Sequence, residues 1–280
     1  MKNQVAVFAH YDDTPLVAKH VLYHLQALRQ FGFRICFVSH SAIAPPSQAQ
    51  LETVCERIIV QENAGFDFYM WRRGLLEYDV ANLEELLLVN SSIIGPLRPL
   101  ADLWRNPEIA ECDFWGLTDN AELGMHLQSY FLVFRRAVLQ SARFLDFWKC
   151  VLPYRDKEQV IRSYEVGLTR WLEEAGFNWK AVFTQDRMFS LYWSQRGVLK
   201  KARDRYYNRS VAGRNSTLFF PDCLLQSGMP YLKLALLRDA SPRLGRAKIW
   251  GLLKASNLPV DIWQELELKY GAPGATERKK

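Results

Sequence analysis

The run Leu86 to Leu97, "LLLVNSSIIGPL", carries an apolar stretch into Asn90, Ser91 and Ser92 and then breaks at Gly95 and Pro96. An amide and two hydroxyls at the tip of a buried strand can donate hydrogen bonds to phosphate oxygens, and they anchor magnesium or manganese less well than carboxylates do. An ordinary strand-ending turn would use the same residue types. Other apolar runs end in a similar way: "VAVFA" on His10, Tyr11 and Asp12, "RICFV" on Ser39 and His40, and "RIIV" ahead of Asn63, Gly65 and Asp67. Gly65 permits a tight turn or close backbone approach, while Asn63 and Asp67 suit a ribose, a base edge or a helix N-terminus. For Asp67 a plain helix cap is the simpler role. Further on, "DFWGLTDNAELGMHLQSYFLVF" sets Asp113, Trp115, Thr118, Asp119, His126, Gln128 and Ser129 among aromatic rings. Flat apolar faces beside hydrogen-bonding groups suit a sugar ring, although an aromatic core explains Trp115 and Phe131 as readily.

Several chemistries find no support. There is no GxGxxG, no GxxxxGKS and no GxSxG, so dinucleotide, P-loop and serine-hydrolase readings lack their motifs. His10, His40 and His126 lack zinc-ligand spacing. The five cysteines are odd in number, far apart and mostly in apolar stretches, which reads as buried thiols in a reducing compartment.

These residues need elements to hold them. "QVAVFAHYD" reads as a strand, and "TPLVAKHVLYHLQALRQFG" as a loop and then a helix stopping at Gly32; "RICFVSHS", "SQAQLETVCE" and "RIIVQENAG" repeat the alternation. Such alternation predicts an α/β fold with a mostly parallel central sheet flanked by helices, and ligands then bind beyond the carboxyl ends of the strands. "CDFWGLTDN" and "HLQSYFLVF" read as strands, "KEQVIRSYEVGLTRWLEEAGF" as a helix ending at Gly176, and "WKAVF" as a strand. "LKLALLRD" and "VDIWQELELKYG" are the periodic segments near the C-terminus.

The net charge of +6 is concentrated in "KKARDRYYNR", "RLGRAK" and "ERKK". A solvated face is the first reading, contact with an anionic membrane surface the second, and nucleic acid the last, because no binding motif accompanies the charge. No apolar stretch approaches the ~18 residues of a membrane span, and the N-terminal residues lead directly into a strand. A cytoplasmic protein is expected, in peripheral contact at most with the cytoplasmic face of an inner membrane.

In order, "HYD", "ENAGFDFYMWRRGL", "LLLVNSSIIGPL", "DFWGLTDN", "HLQSYFLVF", "SYEVGLTRWLEEAGF" and "GMPYLKLALLRDASP" resemble the rhamnan synthesis F family of bacterial surface-polysaccharide proteins. The resemblance implies a GT-A-like nucleotide-sugar transferase fold over residues 1–270, with a nucleotide-sugar-binding half (1–100), an acceptor half (101–270) and a disordered tail (271–280). It implies a glycosyltransferase passing a sugar, rhamnose being the family's, from a nucleotide-sugar donor to a growing surface polysaccharide or lipid-linked glycan. A non-catalytic glycan-binding or assembly protein with the same fold is the rival. His10, Tyr11, Asp12, Asn63, Gly65, Asp67, Asn90, Ser91 and Ser92 then line the donor pocket, and Trp115, Thr118, His126 and Gln128 meet the acceptor.

Many GT-A enzymes end the strand matching "LLLVNSS" in Asp-x-Asp, which holds a divalent metal against the donor diphosphate. Here the neutral Asn90-Ser91-Ser92 implies that no metal is required, with Arg72, Arg73 or Lys233 meeting the phosphate charge, or else that magnesium or manganese binds elsewhere, for example through Asp119. In inverting GT-A enzymes the catalytic base is a carboxylate near a helix start. Glu165 matches that position and Asp119 is the reserve. A helix cap or a pair with Arg162 would also account for Glu165.

Overall fold

The computed structural model describes residues 3–195 and 215–271. The basic segment at 200–209 and nearly all of the tail fall outside them. Four parallel strands form one side of the sheet: β1 (Gln4–His10), β2 (Arg34–Ser39), β3 (Arg57–Val60) and β4 (Glu85–Asn90), in spatial order β3-β2-β1-β4. β8 (Phe131–Arg135) then runs antiparallel to β4, and β6 (Phe114–Asn120) antiparallel to β8, which returns it to the common direction. β9 (Trp179–Phe183) pairs parallel with β6, and the short β7 (His126–Leu127) folds back on β6. The sheet is therefore mostly parallel, with β8 the reversed strand in its middle.

Both faces are covered, so the strands read as continuous apolar runs. Ala6 and Phe8 of β1 enter one layer with Leu25 and Leu28 of α1 (Lys19–Phe31), while Val5 and Val7 enter the other with Phe68 and Trp71 of α3 (Phe66–Leu75). Helix α1 stops where expected, at Gly32, whose φ of 115° lets its amide return to the Leu28 and Arg29 carbonyls. Close packing of α3 on the sheet depends on Gly74, where an added Cβ would lie 2.4 Å from Val7 Cγ1 and 3.1 Å from Val38 Cγ2. Gly74→Ala gains about 1 kcal/mol of helix propensity, and overpacking costs ~1–3 kcal/mol against stiff β-branched neighbours. A net loss in thermal melting temperature is expected, and an unchanged or raised value would mean that α3 shifts freely on the sheet.

Two sequence expectations are revised. "HLQSYFLVF" is two strands rather than one, because β7 pairs with β6 and β8 with β4. The long helix expected over this stretch forms, beginning at Lys157, passing through a π-helical segment at Ile161–Glu165 and continuing over Val166–Glu173. Glu165 thus lies well inside a helix and not at its start. The C-terminal helices Arg246–Lys254 and Val260–Tyr270, the second expected from its periodicity, build a third core around Trp250, Leu253, Ile262 and Leu266.

Candidate functional site

The carboxyl end of β4 opens into a cleft of about 510 Å³, with Asp67, Asn90, Ser92, Glu165 and Lys233 in its wall. A larger hollow of about 650 Å³, between Arg98, Asp222 and Asn257, contains none of those groups. At the tip of β4, Asn90 Nδ2 donates to Asp67 Oδ2 at 2.7 Å, and Asn90 Oδ1 accepts from the Ser92 amide at 3.1 Å and from Ser92 Oγ at 2.6 Å. Ser92 Oγ in turn accepts from Lys233 Nζ at 3.1 Å, and that ammonium lies 3.8 Å from the centre of the Tyr130 ring. Lys233 reaches this point because β10 (Leu232–Lys233) pairs antiparallel with β5 (Ile93–Ile94), which puts Lys233 opposite Ile93. The chain Lys233–Ser92–Asn90–Asp67 thus joins parts of the sequence that are far apart.

Burial lowers the Lys233 ammonium to about 8, against the opposing charges of Glu165 and Asp67. Burial likewise raises the Asp67 carboxyl, and the Asn90 bond offsets this only in part. Asp67 does not cap α3 with its side chain. Gly65 occupies the N-cap at a φ of 76°, and a Cβ there would fall 2.6 Å from the Pro153 backbone.

Glu165 enters the same cleft from the π-helical turn. Its Oε2 accepts from the Ser129 hydroxyl and, at 3.3 Å, from the Ser129 amide, while its Oε1 is 3.3 Å from His126 Nε2. His126 Nδ1 lies 2.7 Å from the Gly124 carbonyl, an acceptor, so a proton is required there, and the facing carboxylate requires a second on Nε2. The geometry therefore calls for an imidazolium. Burial lowers the His126 pKa, but the Glu165 bond and charge and the Gly124 carbonyl outweigh it, and the net shift is upward. For Glu165, burial raises and the His126 and Ser129 bonds lower, with a net shift below the usual carboxylate range. Among the described residues these donors fill three of roughly four lone-pair positions. One remains for a ligand hydroxyl.

The other expected site residues divide. Tyr11, Ser91 and Gln128 line the cleft. Asp12 is absent from the wall and pairs with Lys269 at 2.5 Å, on the helix Val260–Tyr270 that supplies Tyr270 to the wall. His10 is 1 % exposed, bonds Ser39 Oγ at 3.0 Å and is lowered to about 4 by burial, so it is a neutral support beneath the cleft and not a pocket group. Asn63 is exposed on its loop and absent from the wall. Trp115 is fully buried against Trp104 and Phe131, which leaves no face for a sugar. Thr118 is also fully buried and serves the wall indirectly, donating to Gln128 Oε1 at 2.7 Å. His126, 1 % exposed, stands behind Glu165 and cannot touch an acceptor. Asp119 accepts from the Gln185 amide at 2.6 Å at the start of the helix Gln185–Ser194 and lies outside the cleft wall. Arg72 and Arg73 are engaged elsewhere, with the Trp148 carbonyl and Glu77, and Arg162 pairs with Glu158. Ser129, one of the hydrogen-bonding groups of the "HLQSYF" stretch, does line the cleft, and so does Tyr130, which carries no binding signal of its own in the sequence.

The fold and the cleft define an α/β protein with its candidate ligand site at the carboxyl edge of a mostly parallel sheet. The model of the rhamnan synthesis protein F family matches residues 35–269, and the chain belongs to that family. It is similar to the virulence protein VirA of Vibrio anguillarum, 27% identical over 254 residues that make up 85% of this chain and 80% of that protein. It is also similar to the uncharacterized protein y4gN of Sinorhizobium fredii, 28% identical over 174 residues, 60% of this chain; the match spans only 45% of that relative's length. Among solved structures, the glycosyltransferase GlyE of Streptococcus pneumoniae aligns with a TM-score of 0.42 and 13% identity, over 95% of this chain and 60% of that one. A cytidylyltransferase of Leptospira borgpetersenii aligns at 0.35 and 10%, over 77% and 98%. Likeness this distant carries no correspondence of residues. No helix among the described residues is long and apolar enough to cross a membrane.

Proposed function

We propose that this chain is a glycosyltransferase that moves a sugar from a nucleotide-sugar donor to a surface-glycan acceptor, with inversion at the anomeric carbon. The observation that carries this reading is one cleft holding a half-buried ammonium, Lys233, and a half-buried carboxylate, Glu165, whose contacts favour its ionised form and leave it a free lone-pair position. An acceptor hydroxyl donating to Glu165 transfers its proton there as its oxygen bonds to the anomeric carbon. The bond from that carbon to the donor phosphate breaks, and the diphosphate leaves with its electron pair and negative charge. On this reading the strand-end groups near Asn90 serve the donor and the side nearer Glu165 serves the acceptor.

Release of nucleoside diphosphate from a panel of nucleotide sugars, measured with and without oligosaccharides of bacterial surface glycans, tests the reading. Acceptor-dependent release from one donor is the expected result. Binding of glycans with no release from any donor would replace it with the non-catalytic glycan-binding role. Because Glu165 must be ionised to act and its pKa is held below 4.5, kcat/KM is expected to fall on the acid side only below about pH 4.5. An acid limb centred near pH 6 would assign the base to another group.

A further inference from the structure

The tip of β4 carries a donor set poorly suited to a divalent metal. Magnesium and manganese take oxygen ligands, and at such sites carboxylates supply the anionic ones. Here Asn90 Oδ1 is occupied by the Ser92 amide and hydroxyl, and Ser92 Oγ by the Lys233 ammonium. The nearest carboxyl, Asp67, is bonded to Asn90 and shifted by burial toward its protonated form. Glu165 already takes three hydrogen bonds from Ser129 and His126, which leaves it a single lone-pair position. Among the described residues no three His, Cys, Asp or Glu side chains converge as a metal set. A cation bound beside Ser92 would also have Lys233 Nζ as a neighbour, and the two positive charges would repel at short range.

We propose that the Lys233 ammonium occupies the role of the divalent cation in this cleft, holding the diphosphate of the donor at the Asn90–Ser92 strand end. The proposal rests on the transferase reading for the identity of the ligand. Its structural basis is independent of it. Among the described residues Lys233 makes one hydrogen bond, to Ser92, so two of its three N–H donors remain for phosphate oxygens. The Ser92 hydroxyl, fixed by Asn90 Oδ1, aims the ammonium, and the Tyr130 ring below it stabilises the positive charge without supplying a competing anion. A half-buried ammonium with so few anionic partners is costly alone, and a dianionic ligand offsets that cost. Lys157 also lines this cleft and adds positive charge toward the same ligand. Asn90 and Ser92 at the tip of β4 thereby acquire a shared purpose: they build a seat for a side chain that arrives from β10.

Calorimetric titration of the whole chain with inorganic pyrophosphate, and with uridine, thymidine, guanosine and cytidine diphosphates, is carried out in EDTA and again with manganese. Binding of at least one nucleoside diphosphate in EDTA, unchanged by manganese, is the expected result. Lys233→Met is expected to weaken it roughly 10- to 100-fold, the range for losing a charge-assisted contact to phosphate, and Lys233→Arg to keep most of it. Should Lys233→Met fail to fold, amine labelling of Lys233 in the wild-type chain gives the same answer, because the diphosphate in EDTA must protect it. Binding that requires manganese, full binding by a folded Lys233→Met, absence of protection, or no diphosphate binding under any condition would each overturn the proposal. The two readings fail separately: metal-free, Lys233-dependent binding without turnover of any donor removes the transferase, whereas turnover that depends on added metal removes the role of Lys233.

Discussion

Glu165→Gln is expected to lower turnover with the matching nucleotide sugar by about 10²- to 10⁴-fold, the span for deleting a general base, while the protein stays folded. The fold survives because glutamine can replace every contact. Its carbonyl accepts from the Ser129 amide and hydroxyl, and its NH₂ donates to His126 Nε2 once that ring takes the neutral form with its proton on Nδ1, still bonded to the Gly124 carbonyl. What is lost is the basic lone pair that faces the cleft. Asp119→Asn is the matched control, since Asp119 Oδ1 accepts from the Gln185 amide and an asparagine oxygen does the same. Activity within a few-fold of wild type is expected there. Near-normal turnover in Glu165→Gln, with loss in Asp119→Asn, would move the base to Asp119 and end the assignment made from the cleft.

Much of the frame is legible in the sequence because local chemistry and global fold agree there. β1, β2 and β4 are apolar runs ended by polar residues, and α1 has a glycine where its last carbonyls need a left-handed turn. Residue type brings Asn90 and Asp67 forward as candidates, the family resemblance brings Glu165, and all three line one cleft. The legibility stops where placement depends on distant pairing. Nothing near Lys233 in sequence indicates that a two-residue strand will hold it against Ile93, so it ranked with Arg72 and Arg73 until the pairing separated them. Trp115 and His126 illustrate the other limit. An aromatic or imidazole on a strand points to one of two layers, and alternation within a run buried on both faces does not say which layer adjoins the ligand. The π-helical turn at Ile161–Glu165 is a third case, because one extra residue in a turn redirects a side chain without leaving a compositional mark.

His126→Ala, which removes the ring behind Glu165, should have the largest effect on stability of any change at this site, and the sign of its pH dependence follows from the shifts of the pair. Removing the ring leaves Glu165 without its charge partner at a site where Glu165 is 19% exposed and His126 1%, and breaking a largely buried pair from one side costs about 3 kcal/mol. For a chain of this size that corresponds to a fall of about 6–12 °C in Tm. The folded pKa of His126 is raised above its ordinary 6.5, so its contribution is fully present below pH 6.5 and is lost as pH rises through the folded value. The folded pKa of Glu165 is lowered below 4.5, so its contribution is present above pH 4.5 and is lost as pH falls through the folded value. Both terms are complete between about pH 4.5 and 6.5. The Tm difference between wild type and His126→Ala is therefore expected to be greatest near pH 5.5 and to shrink toward pH 9, where a neutral ring keeps only its packing and the Gly124 bond. Melting curves of the two proteins across that range decide the matter. A difference that is the same at pH 5.5 and pH 9 would mean that the ring is neutral throughout, and Glu165 would then owe its ionised state to Ser129 alone.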